Sequence, residues 1–494
     1  MTAPTAAFTT LGCKVNQYET QRILESFEER GFAITEFNTP ADVYVINTCS
    51  VTQAAERKSR QMLRRVSRLN PDAVVVMTGC YGEMARIKGE TVDEASLIVP
   101  NQHKLETLRY VLEGFPELHT QLESAPPPAL ERPFHRRTRA TLKVQDGCNV
   151  FCAFCSIPYT RSLMLSRTPD DILSEVRRKV EQGYKEVVVT GVLVGAYGQD
   201  GFKATPGADM PRAYLNQQPA LEVDLSDILR RIAKVDGIER VRLSSIEPTQ
   251  VTDRLLDAFA TEPKLCPHLH IPLQSGDTSV LRAMNRPYDQ DFYLERCRTA
   301  YERIPSLALT ADIMVGFPGE GEAEFESTLH VVRTVGFARA HIFRYSPRPN
   351  TPAADVREQV SEETKEARSK VLAAACRETQ QAFIRQYIGR TLPVLVEGKT
   401  APETESGASG NEGNIPVPIS GEGATGLLGG YTSNYIRVQF TGGAHLVGRV
   451  VPVQLLEPTS DGAIGEAGGA HFAPLEAPDD AHFIPLATLT AALR

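Results

Sequence analysis

No run of about eighteen apolar residues occurs in this 494-residue sequence, so an ordinary membrane-spanning helix is not expected. The opening stretch, Met1 to Thr10, lacks a positive segment followed by an apolar one, and no secretion signal is visible. Positive charge is in short supply: 53 Lys and Arg stand against 61 Asp and Glu, a net charge of −8 that does not advertise a nucleic-acid binder. Local basic patches can still carry such a contact. A second C-x2-C pair, which would close a structural zinc site, is also missing. What is there supports a large globular chain. Hydrophobic residues make up 41%, and the length suggests two to four domains. Nine cysteines without an export signal argue against disulfides and for thiols or metal ligands in a cytoplasmic protein.

Three of those cysteines fall in one eight-residue run, Cys148-Asn149-Val150-Phe151-Cys152-Ala153-Phe154-Cys155. Three thiolates at C-x3-C-x2-C spacing suit three irons of a cubane cluster and leave the fourth iron open to a substrate or cofactor. On spacing alone, zinc and ferredoxin-type sites stay open. The run, with the aromatic Phe154 before its last cysteine, resembles the signature of the radical S-adenosylmethionine (radical SAM) enzymes. That resemblance implies Cys148, Cys152 and Cys155 as ligands of a 4Fe–4S cluster whose free iron chelates the cofactor's methionine amine and carboxylate. Phe154 would then pack near the cofactor's adenine.

The N-terminal third repeats one pattern. Apolar strand-like runs, Ala6 to Leu11, Val43 to Asn47 and Ala73 to Thr78, lead into Gly12-Cys13, Thr48-Cys49 and Gly79-Cys80. Helical stretches, Tyr18 to Arg30 and Glu56 to Leu69, separate them. Alternating strands and helices predict a parallel sheet, and such sheets bind ligands at their carboxyl ends. Three cysteines at three strand ends therefore converge on one edge and suggest a second cluster. Leu11-Gly12-Cys13-Lys14-Val15-Asn16-Gln17-Tyr18-Glu19, Asn47-Thr48-Cys49-Ser50-Val51-Thr52, Lys58-Ser59-Arg60 and Thr78-Gly79-Cys80-Tyr81 resemble the N-terminal domain of the methylthiotransferases. The residues after Cys13 are similar to the branch acting on threonylcarbamoyladenosine in tRNA. The isopentenyladenosine tRNA branch and the ribosomal-protein branch are the alternatives, and an RNA-binding iron–sulfur sensor is the non-enzymatic one.

From Ala140 onward, strand-like runs near 140–145, 185–190, 239–245, 268–273, 308–315 and 338–345 alternate with helices and predict an open, partial (β/α)6 barrel. Loops at its carboxyl rim carry Thr190, Gly191, Ser244, Glu247 and Gln274, with Asp312 on the fifth strand; by resemblance these are candidate cofactor contacts. His268 and His270 read as packed or hydrogen-bonded, and Cys266, Cys297 and Cys376 as ordinary thiols. Short strands after about 386 suggest a small β-barrel. Tyr431 to Val438 resembles the TRAM domain, an RNA-binding barrel.

The expected organisation is thus α/β and multidomain. Residues 1–118 form the N-terminal domain, 119–133 a Pro-rich linker and 134–375 the radical SAM domain. A TRAM-like barrel spans 386–457 with an insertion at 401–430, and 458–494 is a tail. Candidate RNA contacts are Arg57, Arg60 and Arg64 on an amphipathic basic helix at 56–68, with Tyr435 and Arg437 on the barrel. A further basic stretch covers 132–139. The resemblance implies two 4Fe–4S clusters and S-adenosylmethionine as cofactors. It also implies the tRNA anticodon arm as partner, a low-potential electron donor and a sulfur source. C2 of an adenine ring bears a hydrogen no side-chain base can remove, so a radical is the chemistry this substrate demands.

Overall fold

The computed structural model describes residues 2–50, 53–125, 138–200, 222–349, 351–399 and 425–468. Outside them lie the core of the linker, most of the 132–139 basic stretch, residues 201–221, most of the 401–430 insertion, and residues 469–494 of the tail.

Valine and isoleucine runs with no polar alternation predict strands buried on both faces, as central parallel strands must be. β3 (Val43–Thr48) and β4 (Val74–Gly79) are buried along their whole length. They occupy the centre of a parallel five-stranded sheet in the order β2-β1-β3-β4-β5, with β1 at Thr5–Thr10, β2 at Ala33–Thr35 and β5 at Leu97–Ile98. Helices α1 (Lys14–Arg30), α2 (Gln53–Leu69) and α3 (Cys80–Lys88) each follow a strand directly. α4 (Thr107–Gly114) packs into the same core through Val111. α5 (Pro116–Ser124) runs into the stretch expected to be linker, because Pro116 in a first turn starts a helix and Leu118 and Leu122 are buried.

Next comes the cysteine-bearing barrel. Its strands are β6 (Arg139–Asp146), the short antiparallel β7 (Leu165–Ser166), β8 (Glu186–Gly191), β9 (Arg240–Leu243), β10 (His268–His270), β11 (Ala308–Val315) and β12 (Arg339–Arg344). β7-β6-β8-β9 form one sheet and β10-β11-β12 another. Parallel bridges Val241↔Leu265 and Ser245↔His270 join the two, which gives six parallel strands in sequence order and an open side beyond β12. The helices between them are α6 (Ile157–Thr160), α7 (Pro169–Glu181), α8 (Leu225–Ala233), α9 (Asp253–Thr261), α10 (Thr278–Ala283), α11 (Gln290–Arg303), α12 (Glu322–Val335) and α13 (Glu362–Arg385). Apolar residues from strands and helices build one continuous core here.

A closed barrel in the order β13-β14-β15-β17-β16 completes the chain: β13 (Thr391–Lys399), β14 (Thr425–Thr432), β15 (Arg437–Gly443), β16 (Val450–Pro458) and β17 (Gly462–Ala467). β14 begins inside the expected insertion and β17 lies beyond residue 457, in the expected tail. Glycine-rich Thr425–Thr432 carries little strand propensity of its own, and pairing on both edges decides its conformation.

The small barrel docks on the amino ends of β6, β8 and β9. Buried Arg242 donates to Glu186 Oε1 (2.7 Å), Ser433 O (2.9 Å) and Thr432 O (3.2 Å), while Arg240 donates to Tyr431 O (3.0 Å). Arg139 pairs with Glu397 at 2.7 Å. Tyr435 sits at φ +69°, an unfavourable region for a bulky residue. It is held there by stacking on His268 (4.4 Å between centroids) and Tyr431 (4.9 Å), with the Arg242 guanidinium 5.0 Å from its ring. Arg437 pairs with Asp461. Tyr435 and Arg437, the candidate RNA contacts of the barrel, are thus both engaged by protein partners, the one stacked and the other ion-paired, and both stay partly exposed.

Candidate functional site: two facing cysteine triads

Strand register brings the N-terminal cysteines together. Thr10 of β1 pairs with Asn47 of β3, which pairs with Thr78 of β4, so all three strands end level. Cys13 follows β1 at the N-cap of α1, Cys49 follows β3, and Cys80 opens α3 after β4. A Cβ on Gly12 (φ +98°) would lie 2.6 Å from Cys49 Sγ, and one on Gly79 (φ +95°) would lie 2.2 Å from Thr48 O. Both positions need glycine for the chain to turn this close to its neighbour. Asn16 ties the edge together by donating to Leu11 O (2.9 Å) and Thr48 O (3.0 Å).

Cys148, Cys152 and Cys155 lie in the loop after β6, at the carboxyl end of the barrel. Ala153 N donates to Met284 O and Ala353 N to Ala153 O, each 2.9 Å, so the loops after β10 and β12 clamp the cysteine loop. Arg286 Nη1 donates to Cys152 Sγ at 2.9 Å, and the same guanidinium pairs with Glu247. Burial and the neighbouring thiols push Cys148 well above its ordinary pKa, and Cys155 rises to about 11 for the same reasons. Phe154 packs edge-on against Phe317 (6.3 Å), which packs on Tyr345 (5.3 Å).

The two triads share charged neighbours. Arg348, in the loop after β12, lies within electrostatic reach of Cys155, Cys49 and Cys80. Arg161, just past the cysteine loop, acts on Cys13 and Cys80. Glu19 of α1, 2% exposed, accepts from Lys104 (2.7 Å), Lys143 (2.6 Å) and both terminal nitrogens of Arg161 (2.9 and 2.8 Å). On the same helix, Tyr18 donates to Glu175 (2.9 Å) and Lys179 donates to Glu25 (3.0 Å). One face of α1 is thus bolted to the radical domain.

The remaining candidates sort by height in the barrel. Thr190 accepts from Ser244 Oγ at 3.1 Å at the rim, and Gly191 leaves room for Gln145 and Val194. Gln274 is held at φ +62° by hydrogen bonds from its N to Asp312 O (2.9 Å) and from Met314 N to its own O (2.8 Å). Strain of this kind is often kept at ligand sites. Asp312 lies lower, within the barrel, beside His270 (3.4 Å). His268 and His270 both bond Thr310 Oγ1, at 3.0 and 2.9 Å. Cys266, Cys297 and Cys376 are buried apart from either triad. Sequence reading missed Arg161, Arg286 and Arg348, which stand in no local motif and reach the cysteines only through the fold.

Among the described residues, no three or more Cys, His, Asp or Glu are placed to hold a single metal ion. What the triads offer is all-thiol donor sets with polar neighbours in wait. The Oγ atoms of Ser50 and Ser156, each next in sequence to a cysteine, are buried without a hydrogen-bond partner. Thiol triads with buried donors at their edge fit an iron–sulfur cluster and its sulfides. No described helix is long and apolar enough to cross a membrane.

A partial (β/α)6 barrel with three cysteines in the loop after its first strand defines a radical SAM enzyme. Comparison with known proteins agrees. Residues 142–332 match the radical SAM superfamily, and residues 5–99 match a family described as uncharacterized protein family UPF0004. The threonylcarbamoyladenosine tRNA methylthiotransferase MtaB of Bacillus subtilis is 37% identical over 92% of this chain and 94% of its own. A tRNA-2-methylthio-N(6)-dimethylallyladenosine synthase of Cereibacter sphaeroides is 36% identical over 78% of this chain and 86% of its own. The solved radical S-adenosylmethionine methyltransferase TsrM of Kitasatospora setae covers 72% of this chain and 77% of its own, at 14% identity and a TM-score of 0.48. The chain belongs to the radical SAM methylthiotransferase family. Its cofactors are S-adenosylmethionine and two 4Fe–4S clusters, one of them carried by the N-terminal domain.

Proposed function

We propose that the enzyme attaches a methylthio group to C2 of N6-threonylcarbamoyladenosine next to the anticodon of tRNA. The observation that carries this reading is that cysteines of both triads lie within electrostatic reach of one arginine, Arg348, while Arg161, next to the radical-domain triad's loop, reaches Cys13 and Cys80 of the N-terminal one. Cys148, Cys152 and Cys155 hold one cluster, and Cys13, Cys49 and Cys80 hold the other. When bound, the first cluster with S-adenosylmethionine supplies a carbon-centred radical for the C2 hydrogen, and the second supplies the sulfur site. The protein's own work is placement. Glu247 fixes Arg286 against Cys152, the Phe154–Phe317–Tyr345 wall excludes water beside the cysteine loop, and Thr190, Gly191, Ser244 and Gln274 form the rim that receives the cofactor. Arg348 and Arg161 bring positive charge where two anionic clusters would otherwise repel. A low-potential electron donor and a sulfur source complete the set of partners, and the cytoplasm is where tRNA of this kind is met. Mass spectrometry of tRNA nucleosides from cells with and without the gene tests the reading. Loss of the methylthio threonylcarbamoyl nucleoside supports it, and loss of the methylthio dimethylallyl nucleoside in its place overturns the substrate.

Anaerobic reconstitution is expected to give about eight irons per chain, as two 4Fe–4S clusters require. A reproducible value near four, with Cys13, Cys49 and Cys80 open to alkylating reagents, would remove the second cluster.

The basic face of α2 is the candidate phosphate contact. Leu63 and Val66 anchor the helix, while Arg60 pairs with Glu56 (2.7 Å) and lies over Tyr81, and Arg64 pairs with Glu94 (3.0 Å). Arg57 and Arg65 are exposed and carry no ion pair among the described residues. Reversing Arg57 and Arg65 to Glu is expected to weaken tRNA binding and flatten its dependence on salt, because each lost phosphate contact releases fewer counterions. Binding that keeps its affinity and its salt slope returns α2 to a merely solvated face.

A further inference from the structure

Three polar side chains inside the barrel have no part in holding clusters. His270 lies against Asp312, its ring is 6.2 Å from that of His341, and the three come from adjacent strands β10, β11 and β12. The Asp312 side chain is 30% exposed, so the group is not sealed from a ligand. A fourth charge arrives from the other domain. On α1, positions 14, 18 and 25 share one face, four and seven residues apart. Tyr18 and Glu25 on that face bond Glu175 and Lys179 of the radical domain. Lys14, one turn nearer the cysteines, starts that same face, and its charge reaches both Asp312 and His268.

We infer that Lys14, His270, His341 and Asp312 form the subsite that reads the N6 substituent of the target adenosine, taking a side chain that ends in a carboxylate and also offers hydrogen-bond donors. This rests on the proposed tRNA reading and deepens it. The ammonium of Lys14 and the imidazoles suit a carboxylate, while Asp312 accepts from hydroxyl or amide N–H groups. A threonylcarbamoyl group carries all of these. A dimethylallyl group carries none, and would bury Lys14 and Asp312 against hydrocarbon. A site built for hydrogen bonds rejects an analogue that lacks them far more strongly than an apolar pocket rejects an extra methylene. Lys14 thereby couples sulfur delivery to substrate identity, since the residue before it is a proposed ligand of the sulfur-bearing cluster.

The test uses iron-loaded full-length protein and three anticodon stem-loop RNAs that differ only at the target adenosine: threonylcarbamoyl, dimethylallyl, or unsubstituted. Equilibrium affinities are measured without S-adenosylmethionine. The wild type should favour the threonylcarbamoyl RNA. Lys14→Met should lose about tenfold to a hundredfold of that preference, as expected for a hydrogen-bonded charge, with little change for the unsubstituted RNA. Lys14→Arg should keep most of it. Because Lys14 adjoins Cys13, iron content is measured in each variant, and His341→Leu, on β12 and not adjacent in sequence to any cysteine of either triad, carries the same comparison independently. Undiminished preference in Lys14→Met and His341→Leu at wild-type iron overturns the inference. A wild type that methylthiolates only the dimethylallyl RNA would instead overturn the substrate reading itself, so the two failures are told apart.

Discussion

Cys152→Ala is expected to abolish both 5′-deoxyadenosine release and methylthio product, whereas Cys49→Ala should abolish only the product. The radical cluster takes its three thiolates from one loop after β6, so losing Cys152 removes a ligand and the Arg286 contact with it. Cys49 stands on a different sheet, and the loop that holds Cys148, Cys152 and Cys155 is clamped by Met284 and Ala353 of its own domain. Reductive cleavage should therefore continue in Cys49→Ala without sulfur transfer. Both variants must first be shown folded, because a structural cluster can be part of its domain's stability. Deoxyadenosine and methylthio nucleoside, quantified side by side, decide the matter. Wild-type product from folded Cys49→Ala would end the sulfur role of the N-terminal triad.

The layout of the chain was open to reading from its letters because the strongest signals are local. Continuous apolar runs such as Val43 to Asn47 and Ala73 to Thr78 become β3 and β4, and each run ends at its cysteine by simple adjacency. The six barrel strands follow for the same reason. What could not be read is whatever depends on which surfaces meet. Tyr18 and Glu19 served only as marks of resemblance, yet their side chains join two domains through Glu175, Lys143 and Arg161. Arg348 approaches both triads from a loop nearly 200 residues after the cysteine run, with no pattern to announce it. Tyr435 shows the same limit from another direction. An aromatic beside arginine is equally suited to a base and to His268, and only packing chooses between them.

Glu19→Gln is expected to loosen the seam between the N-terminal and radical domains and to uncouple the two chemistries. Glu19 and Asp146 carry two negative charges against the three positive ones of Lys104, Lys143 and Arg161. Neutralising Glu19 leaves Lys104, 1% exposed, with no carboxylate partner among the described residues. Breaking a buried ion pair from one side typically costs about 3–5 kcal/mol, a large share of a domain's stability. The pH dependence carries a sign. Burial alone would raise the Glu19 pKa, but Arg161, Lys104 and Lys143 outweigh it and hold the carboxyl well below its ordinary range. Its contribution is therefore complete above the unfolded carboxylate value of about 4.3 and disappears only as pH falls through the lower folded value. The gap between wild type and Glu19→Gln in denaturant midpoint should stay constant from about pH 8 to pH 5 and close in stronger acid. Function should divide in parallel. The radical cluster's own loop is untouched, so deoxyadenosine should still form, while methylthio product falls because the sulfur site no longer meets the radical site in register. A Glu19→Gln protein with the wild-type midpoint and the wild-type ratio of product to deoxyadenosine would show that this buried network does not hold the two triads together.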